Sequence, residues 1–230
     1  MGATQQMLLS YKSAWNWLLN SLVSYYKMDG NANDELWTYN WTPTFITWDS
    51  TNKIIWQSAS LNWSTSKIDL PSLSIWSTFS INMWVRFTWT NTNKIFFFEP
   101  STTSFQSAFW WDTGQNRLEY YHWNGASSTK IQLAAWSYND NVIRMFTITK
   151  TWTNVEIFVN WSSVASNSSM HNISITSANA SAFWYIARLW IQHYWWQIDE
   201  TWIWNKVLST TEITALYNSW SWLAYNFFTT

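Results

Sequence analysis

The chain reads as short β-rich runs of apolar residues separated by Asn, Ser and Thr, and in some of these runs apolar and polar positions alternate with a period of two. In the plainest run Phe79, Ile81, Met83, Val85 and Phe87 alternate with Ser80, Asn82, Trp84 and Arg86, which makes one face of that strand core. Similar β-rich runs predict strands at Val23–Lys27, Ile54–Leu61, Lys67–Leu70, Lys94–Phe98, Ser107–Trp111, Arg117–Tyr121 and Lys130–Leu133. They continue at Val142–Lys150, Val155–Val159, Ser163–Ser166, Phe183–Leu189 and Gln197–Trp204. Strands in that number, with no helix between them, predict an all-β fold of two antiparallel sheets. Asn160-Trp161 separates two of them and predicts a two-residue hairpin. Near the end, Ser209-Thr210-Thr211-Glu212 has capping-box spacing ahead of Ile213, Leu216 and Tyr217, which predicts one short helix stopping near Asn218.

A length of 230 residues suits one large sandwich, and no stretch reads as a linker between halves. Residues 1–22 read as a leader segment, 23–223 as the domain and 224–230 as a tail. Charged residues are only 11% of the chain and the net charge is −1, so neither a nucleic-acid footprint nor a basic membrane patch is present. The apolar runs are strand-sized, which argues against insertion into a membrane as a helix. The first residues carry Met7-Leu8-Leu9 without a basic start or a long apolar stretch, a poor secretory signal. Cysteine is absent, which removes disulfides, thiolate metal sites and thiol nucleophiles together.

Tryptophan changes the picture. It occurs 24 times and glycine only 4 times, whereas ordinary usage would put about 16 glycines in this length. Many of these tryptophans stand beside Asn, Ser and Thr where turn chemistry calls for glycine, as in Asn40-Trp41-Thr42, Asn62-Trp63-Ser64 and Asn160-Trp161-Ser162. The placement suggests that many of them stand for a UGA codon read as glycine in the source. On that reading Trp63, Trp161 and Trp220 belong at positions of positive φ, with their rings outward. Trp84, Trp111, Trp123, Trp195 and Trp204 are expected to be genuine, with Trp84 and Trp204 packed against the sheets. The alternative is a protein rich in true tryptophan, with aromatic platforms for sugars or bases.

With glycine at the suspect positions, Tyr25-Tyr26-Lys27-Met28-Asp29-Gly30-Asn31-Ala32-Asn33-Asp34 resembles the opening strand and loop of bacterial laminin-G-like and pentraxin-like modules. Further landmarks follow in order: the segment Ile55 to Ser64, the strand Phe79 to Val85, the pair formed by Phe146 to Lys150 with the Asn160 hairpin, and the closing segment Gln197 to Ser209. Together they span about residues 23 to 223. The resemblance implies a jelly roll of the concanavalin A-like lectin class, used for carbohydrate or protein adhesion at surfaces. The leader resembles short segments on phage and bacterial surface proteins, which implies an extracellular, cell-surface or virion setting.

Candidate chemistry is sparse. Glucanases of this class place carboxylates as E-x-D-x-E on one strand face, and that motif is missing. Asp199 and Glu200 are adjacent in a predicted strand and should point to opposite faces. No nucleophile elbow or phosphate-cradling loop is written, and His122, His171 and His193 lie too far apart for a paired metal site, each reading as a surface or loop residue. The chain therefore reads as a non-catalytic binding module. Its candidate ligand-binding residues are Trp123, Tyr194, Trp111, Tyr121 and His193, whose rings suit the apolar faces of sugars, although alternate members of the 117–121 strand equally suit the core. Calcium is a candidate cofactor, because Asp29, Asn31, Asn33 and Asp34 form an oxygen-rich loop. The family resemblance adds Asp199 to that set. Such loops also serve simply to bond their own backbone. The expected partner is a glycan or a cell-surface protein, with homo-oligomerisation possible. The alternative is a structural virion or surface-array subunit without sugar specificity.

Overall fold

The alternating segment around Ile81 forms strand β6 (Thr78–Phe87), which lies between β11 (Arg144–Thr151) and β15 (Trp196–Trp204), with Ile81 opposite both Ile148 and Ile203. The computed structural model describes residues 18–36, 38–54, 57–61, 67–69, 75, 77–87, 94–100, 105–112, 114–172, 182–183 and 196–217. Around β6 the first sheet runs in the order β13 (Ser162–Asn167), β12 (Asn154–Val159), β11, β6, β15, β4 (Ser58–Leu61), β3 (Ile46–Asp49), and β1 (Leu22–Tyr26) also pairs with β15. The second sheet runs β10 (Ser128–Gln132), β9 (Arg117–Trp123), β8 (Phe105–Asp112), β7 (Lys94–Pro100), β14 (Ala182–Phe183), β5 (Lys67–Asp69), β2 (Thr42–Thr44). Neighbours pair antiparallel in both, as the alternation predicted.

The inner faces meet in one core. Phe79, Ile81, Met83, Val85, Phe146, Ile148 and Ile157 of the first sheet share it with Phe109, Trp111, Leu118, Tyr120 and Ile131 of the second. Burial of such side chains stabilises a sandwich by about 1.5–3 kcal/mol each. The outer face of the first sheet is covered as well, and Trp84 and Trp204 are packed against it as expected. Tyr25, Trp84, Met145, Phe158, Trp202 and Trp204 form a second apolar layer with Leu18 and with Leu208, Ile213 and Leu216. The last two come from the predicted helix, residues 210–217. Its start is a reciprocal capping box: the Ser209 amide donates to Glu212 Oε2 at 2.7 Å, and the Glu212 amide donates to Ser209 Oγ at 3.3 Å. Leu18 is 2% exposed and its carbonyl accepts the Trp204 indole N–H at 2.7 Å, so the fold takes in the end of the segment read as a leader.

Ser80 and Asn82 of β6 are buried by this arrangement and satisfied within it. Ser80 Oγ donates to the Lys206 carbonyl and accepts the Leu208 amide, while the Asn82 amide donates to Thr147 Oγ1 at 2.7 Å. Strands β2 and β3 escape the sequence reading because they are short edge strands, and β2 contains Pro43, which a sheet tolerates at its edge. The predicted strand at Ile54 begins only at Ser58. Of Phe183–Leu189, only Phe183 lies within the described residues, in β14.

Candidate functional site

Strands β8, β9 and β10 form one end of the second sheet, and their register decides which side chains share its outer face. In β9 Leu118 and Tyr120 are core residues, so Arg117, Glu119, Tyr121 and Trp123 project outward by the period of two. Register sets Tyr121 beside Ala108 and Lys130, Glu119 beside Trp110 and Gln132, and Trp123 beside Ser128. Glu119 is only 1% exposed because its neighbours close over it: Lys130 Nζ lies 3.2 Å from Glu119 Oε1, and Gln132 Nε2 donates to the same oxygen. Arg117 extends the polar row through Gln132 Oε1 and Gln115 Oε1. Trp110, Tyr121 and Trp123 are half-buried, so each ring keeps part of its surface in water. Burial pushes the Tyr121 hydroxyl up in pKa, and its bond with Ser128 opposes that shift. Flat rings beside fixed donors and a carboxylate suit a ligand with apolar faces and peripheral hydroxyls.

Of the sequence-predicted ligand residues, Tyr121 and Trp123 share this face. Trp111 is corrected: it is 1% exposed and belongs to the core between the sheets, because residues 109 and 111 of β8 point inward. Tyr194 and His193 lie outside the described residues. Sequence reading missed Glu119, Lys130 and Gln132, although charged residues on alternate strand positions mark an outward face.

The oxygen-rich loop is organised by the protein itself. Asp34 is fully buried; its Oδ1 accepts the amides of Tyr25 and Leu36 and its Oδ2 those of Thr38 and Tyr39, at 3.0 to 3.2 Å. Asn31 Oδ1 accepts the Asn33 amide and Asp29 Oδ1 the Gln57 amide at 2.7 Å. Asp199 accepts the amides of Ile54 and Glu200. A carboxylate with about four lone-pair sites has none left for a cation after four amides, so Asp34 does not fit a calcium ligand in this conformation. Among the described residues no three Asp, Glu or His side chains converge on a metal-sized point.

His122, read as a surface or loop residue, is instead 1% exposed within β9, and its Nδ1 lies 2.9 Å from the His171 carbonyl. Burial pulls its pKa down to about 4, and the neighbouring Lys150 charge adds to the shift. Lys150 is itself buried, donates to the carbonyls of Ser77 and Trp152, and is pulled down to about 8 by desolvation. Asp199 and Glu200 also escape strict alternation. Between Asp199 and Trp202 the pairing with β6 shifts register by one residue, and Glu200 takes φ +45 at this bulge. Glu200 Oε2 accepts the Tyr25 hydroxyl inside the second apolar layer, and burial, then the Asp199 charge, holds Glu200 well above the usual carboxylate range. Both carboxylates are buried, 0% and 3% exposed, so neither faces an open cleft.

By sequence, no family model and no curated protein matches the chain. By structure, it is similar to the binding domain of Paraclostridial Mosquitocidal Protein 1, with a TM-score of 0.69 and 16% identity over 87% of this chain and 52% of that one. A structure of botulinum neurotoxin type C, whose cell entry depends on interaction with two ganglioside molecules, aligns with a TM-score of 0.67 and 15% identity over 87% of this chain and 51% of that one. Domain 4 of AbnA, a GH43 extracellular arabinanase from Geobacillus stearothermophilus solved with arabinotriose, gives 0.58 and 17% over 86% of this chain and 98% of that one. The chain thus spans about half of the toxin structures and nearly all of the arabinanase domain. At these identities the likeness is one of fold, and the fold is a β-sandwich of two antiparallel sheets.

Proposed function

We propose that this chain is a non-catalytic recognition module of the laminin-G-like type, which binds a glycan, carried free or on a surface partner, on the outer face of β8, β9 and β10. The single observation that carries the reading is the row of Trp110, Tyr121 and Trp123 beside the closed Glu119–Lys130–Gln132 cluster. Rings at alternate positions of one strand stand about 7 Å apart, a spacing that lets two rings contact one extended oligosaccharide. Fold alone assigns no ligand. Support comes from similar structures described as binding gangliosides or arabinotriose, and from a botulinum neurotoxin binding domain in complex with rat synaptotagmin II. Both sugar and protein ligands therefore occur on this architecture, and the exposed rings favour sugar here. The setting proposed is outside the cell; among the described residues no helix is long and apolar enough to cross a membrane.

The test is a glycan array followed by calorimetric titration of the best ligand. Wild-type protein is expected to bind a limited set of glycans. Trp123→Ala or Tyr121→Ala should cost about 1 kcal/mol or more in binding, roughly fivefold in affinity, as expected when a stacked ring is removed. No binding across a broad panel, together with self-association in sedimentation, would instead support a structural subunit.

A further inference from the structure

Left-handed backbone positions in this fold are taken by residue types that differ sharply in their tolerance of it. Gly30 and Gly125 sit at φ +77 and +94, and Asn116, Asn141 and Asn160 at +51, +64 and +58. Glycine pays nothing there and asparagine little. Ser21, Met28, Phe45, Tyr138 and Glu200 are left-handed as well, at +67, +62, +53, +69 and +45, and so are Trp136 and Trp152, at +64 and +53; for a side chain as bulky as tryptophan that is a genuine outlier.

The geometry around both positions prevents relaxation. Thr151 pairs with Asn154, so Trp152-Thr153 is the two-residue turn of a hairpin, and both favoured turn types need positive φ at the first of the two positions. The Trp152 amide donates to the Ser77 carbonyl at 3.0 Å and its carbonyl accepts Lys150 Nζ at 2.6 Å. The Trp136 amide likewise donates to the Asn116 carbonyl at 2.6 Å. Strand register at 152 and these bonds at both positions hold the backbone, and the two residues are 63% and 62% exposed. Trp84, Trp111 and Trp204 show the opposite combination, with negative φ and exposures of 6%, 1% and 0%. Two of the expected glycine positions are not borne out. Trp161 is 49% exposed at the Asn160 hairpin, but the left-handed residue of that pair is Asn160, and the Trp161 ring lies 4.5 Å from that of Tyr217. Trp41 has no positive φ and is 3% exposed in the core, stacked on Tyr26. Trp63 and Trp220 lie outside the described residues.

We infer that positions 136 and 152 are glycine positions, and that the tryptophan written there stands for a UGA codon that the source reads as glycine. UGA differs from the tryptophan codon UGG only in its third base, so a single change of decoding accounts for the excess of one residue and the shortage of the other. The exposed rings at 136 and 152 then drop out as ligand contacts. On the proposed glycan face Tyr121 is independent of this inference and Trp123 is among the tryptophans expected to be genuine, whereas the identity of Trp110 is read from its own codon.

The decisive measurement is the coding sequence. UGA is expected at codons 136 and 152 and UGG at 84, 111 and 204; UGG at both 136 and 152 overturns the inference. At the protein level, Trp136→Gly and Trp152→Gly are each expected to raise Tm by roughly 2–4 °C, from removal of the left-handed penalty, whereas Trp204→Gly lowers it. Unchanged or lower Tm in both turn variants overturns the conformational argument. Glycan binding by the doubly substituted protein reports separately on the binding reading, since neither position lies on the outer face of β9.

Discussion

The outer faces of the two sheets start from the same kind of sequence and end differently. Trp84 and Met145 alternate with core residues of the first sheet exactly as Tyr121 and Trp123 do in the second, yet the first pair is buried and the second is half-exposed. The difference lies in what arrives from elsewhere: Leu208, Ile213 and Leu216 from the C-terminal helix and Leu18 from before β1 cover the first sheet. One face is thereby committed to stability. On the second, polar neighbours close over Glu119 but leave the rings partly in water. An aromatic stripe in a strand thus records only that one face is apolar, and the covering element decides whether it serves packing or binding.

The sharpest way to break this comparison is to remove a ring from each face. Trp204→Ala, on the covered face, should cost about 3–5 kcal/mol of stability as the cavity is left unfilled, read by urea unfolding. Trp123→Ala, on the open face, should stay within about 0.5 kcal/mol of wild type. Equal losses would mean that the second face is also core.

Next in size are the buried titratable groups. His122 is neutral in the fold, with a pKa of about 4 against an ordinary 6.5. Its contribution is present above the unfolded value and is lost as pH falls from about 6.5 towards 4, by up to about 3 kcal/mol. Glu200 acts in the opposite sense, because a carboxyl whose value the fold raises destabilises the fold as pH rises above the unfolded carboxylate value. Glu200→Gln should therefore raise stability at pH 7 and expose the acid-side loss due to His122 in the remaining pH profile. A profile unchanged by His122→Asn in that background would show that His122 does not govern acid sensitivity.

Smaller, and on the loop read as a cation site, Asp34→Ala should cost about 1.5–3 kcal/mol, the scale of hydrogen bonds to a charged group. The loss should be the same with and without millimolar calcium. Calcium that raises the wild-type Tm by binding the native state would show that the loop rearranges around a cation despite the amides now holding Asp34.

Most strands, the hairpin at Asn160 and the helix start were legible because each rests on contacts a few residues apart: alternation, a two-residue turn, a capping box. Tyr121 and Trp123 were legible as aromatic candidates for the same reason. Trp111 was not separable from them, since the same strand pattern fits either face until the partner sheet is in place. Asp34 looked like a ligand because its oxygen is visible in sequence, while the amides that occupy it become neighbours only when the loop folds around β1.

What the chain determined by itself is the all-β class, the approximate strand positions and the start of the C-terminal helix, all consequences of local steric and hydrophobic periodicity. Only the tertiary structure decided which outer face is sealed, that His122 is buried, and that a bulge turns Glu200 toward Tyr25. Those outcomes depend on pairings between distant segments, such as the Trp204 indole with the Leu18 carbonyl across 186 positions, and no local pattern encodes a contact of that range.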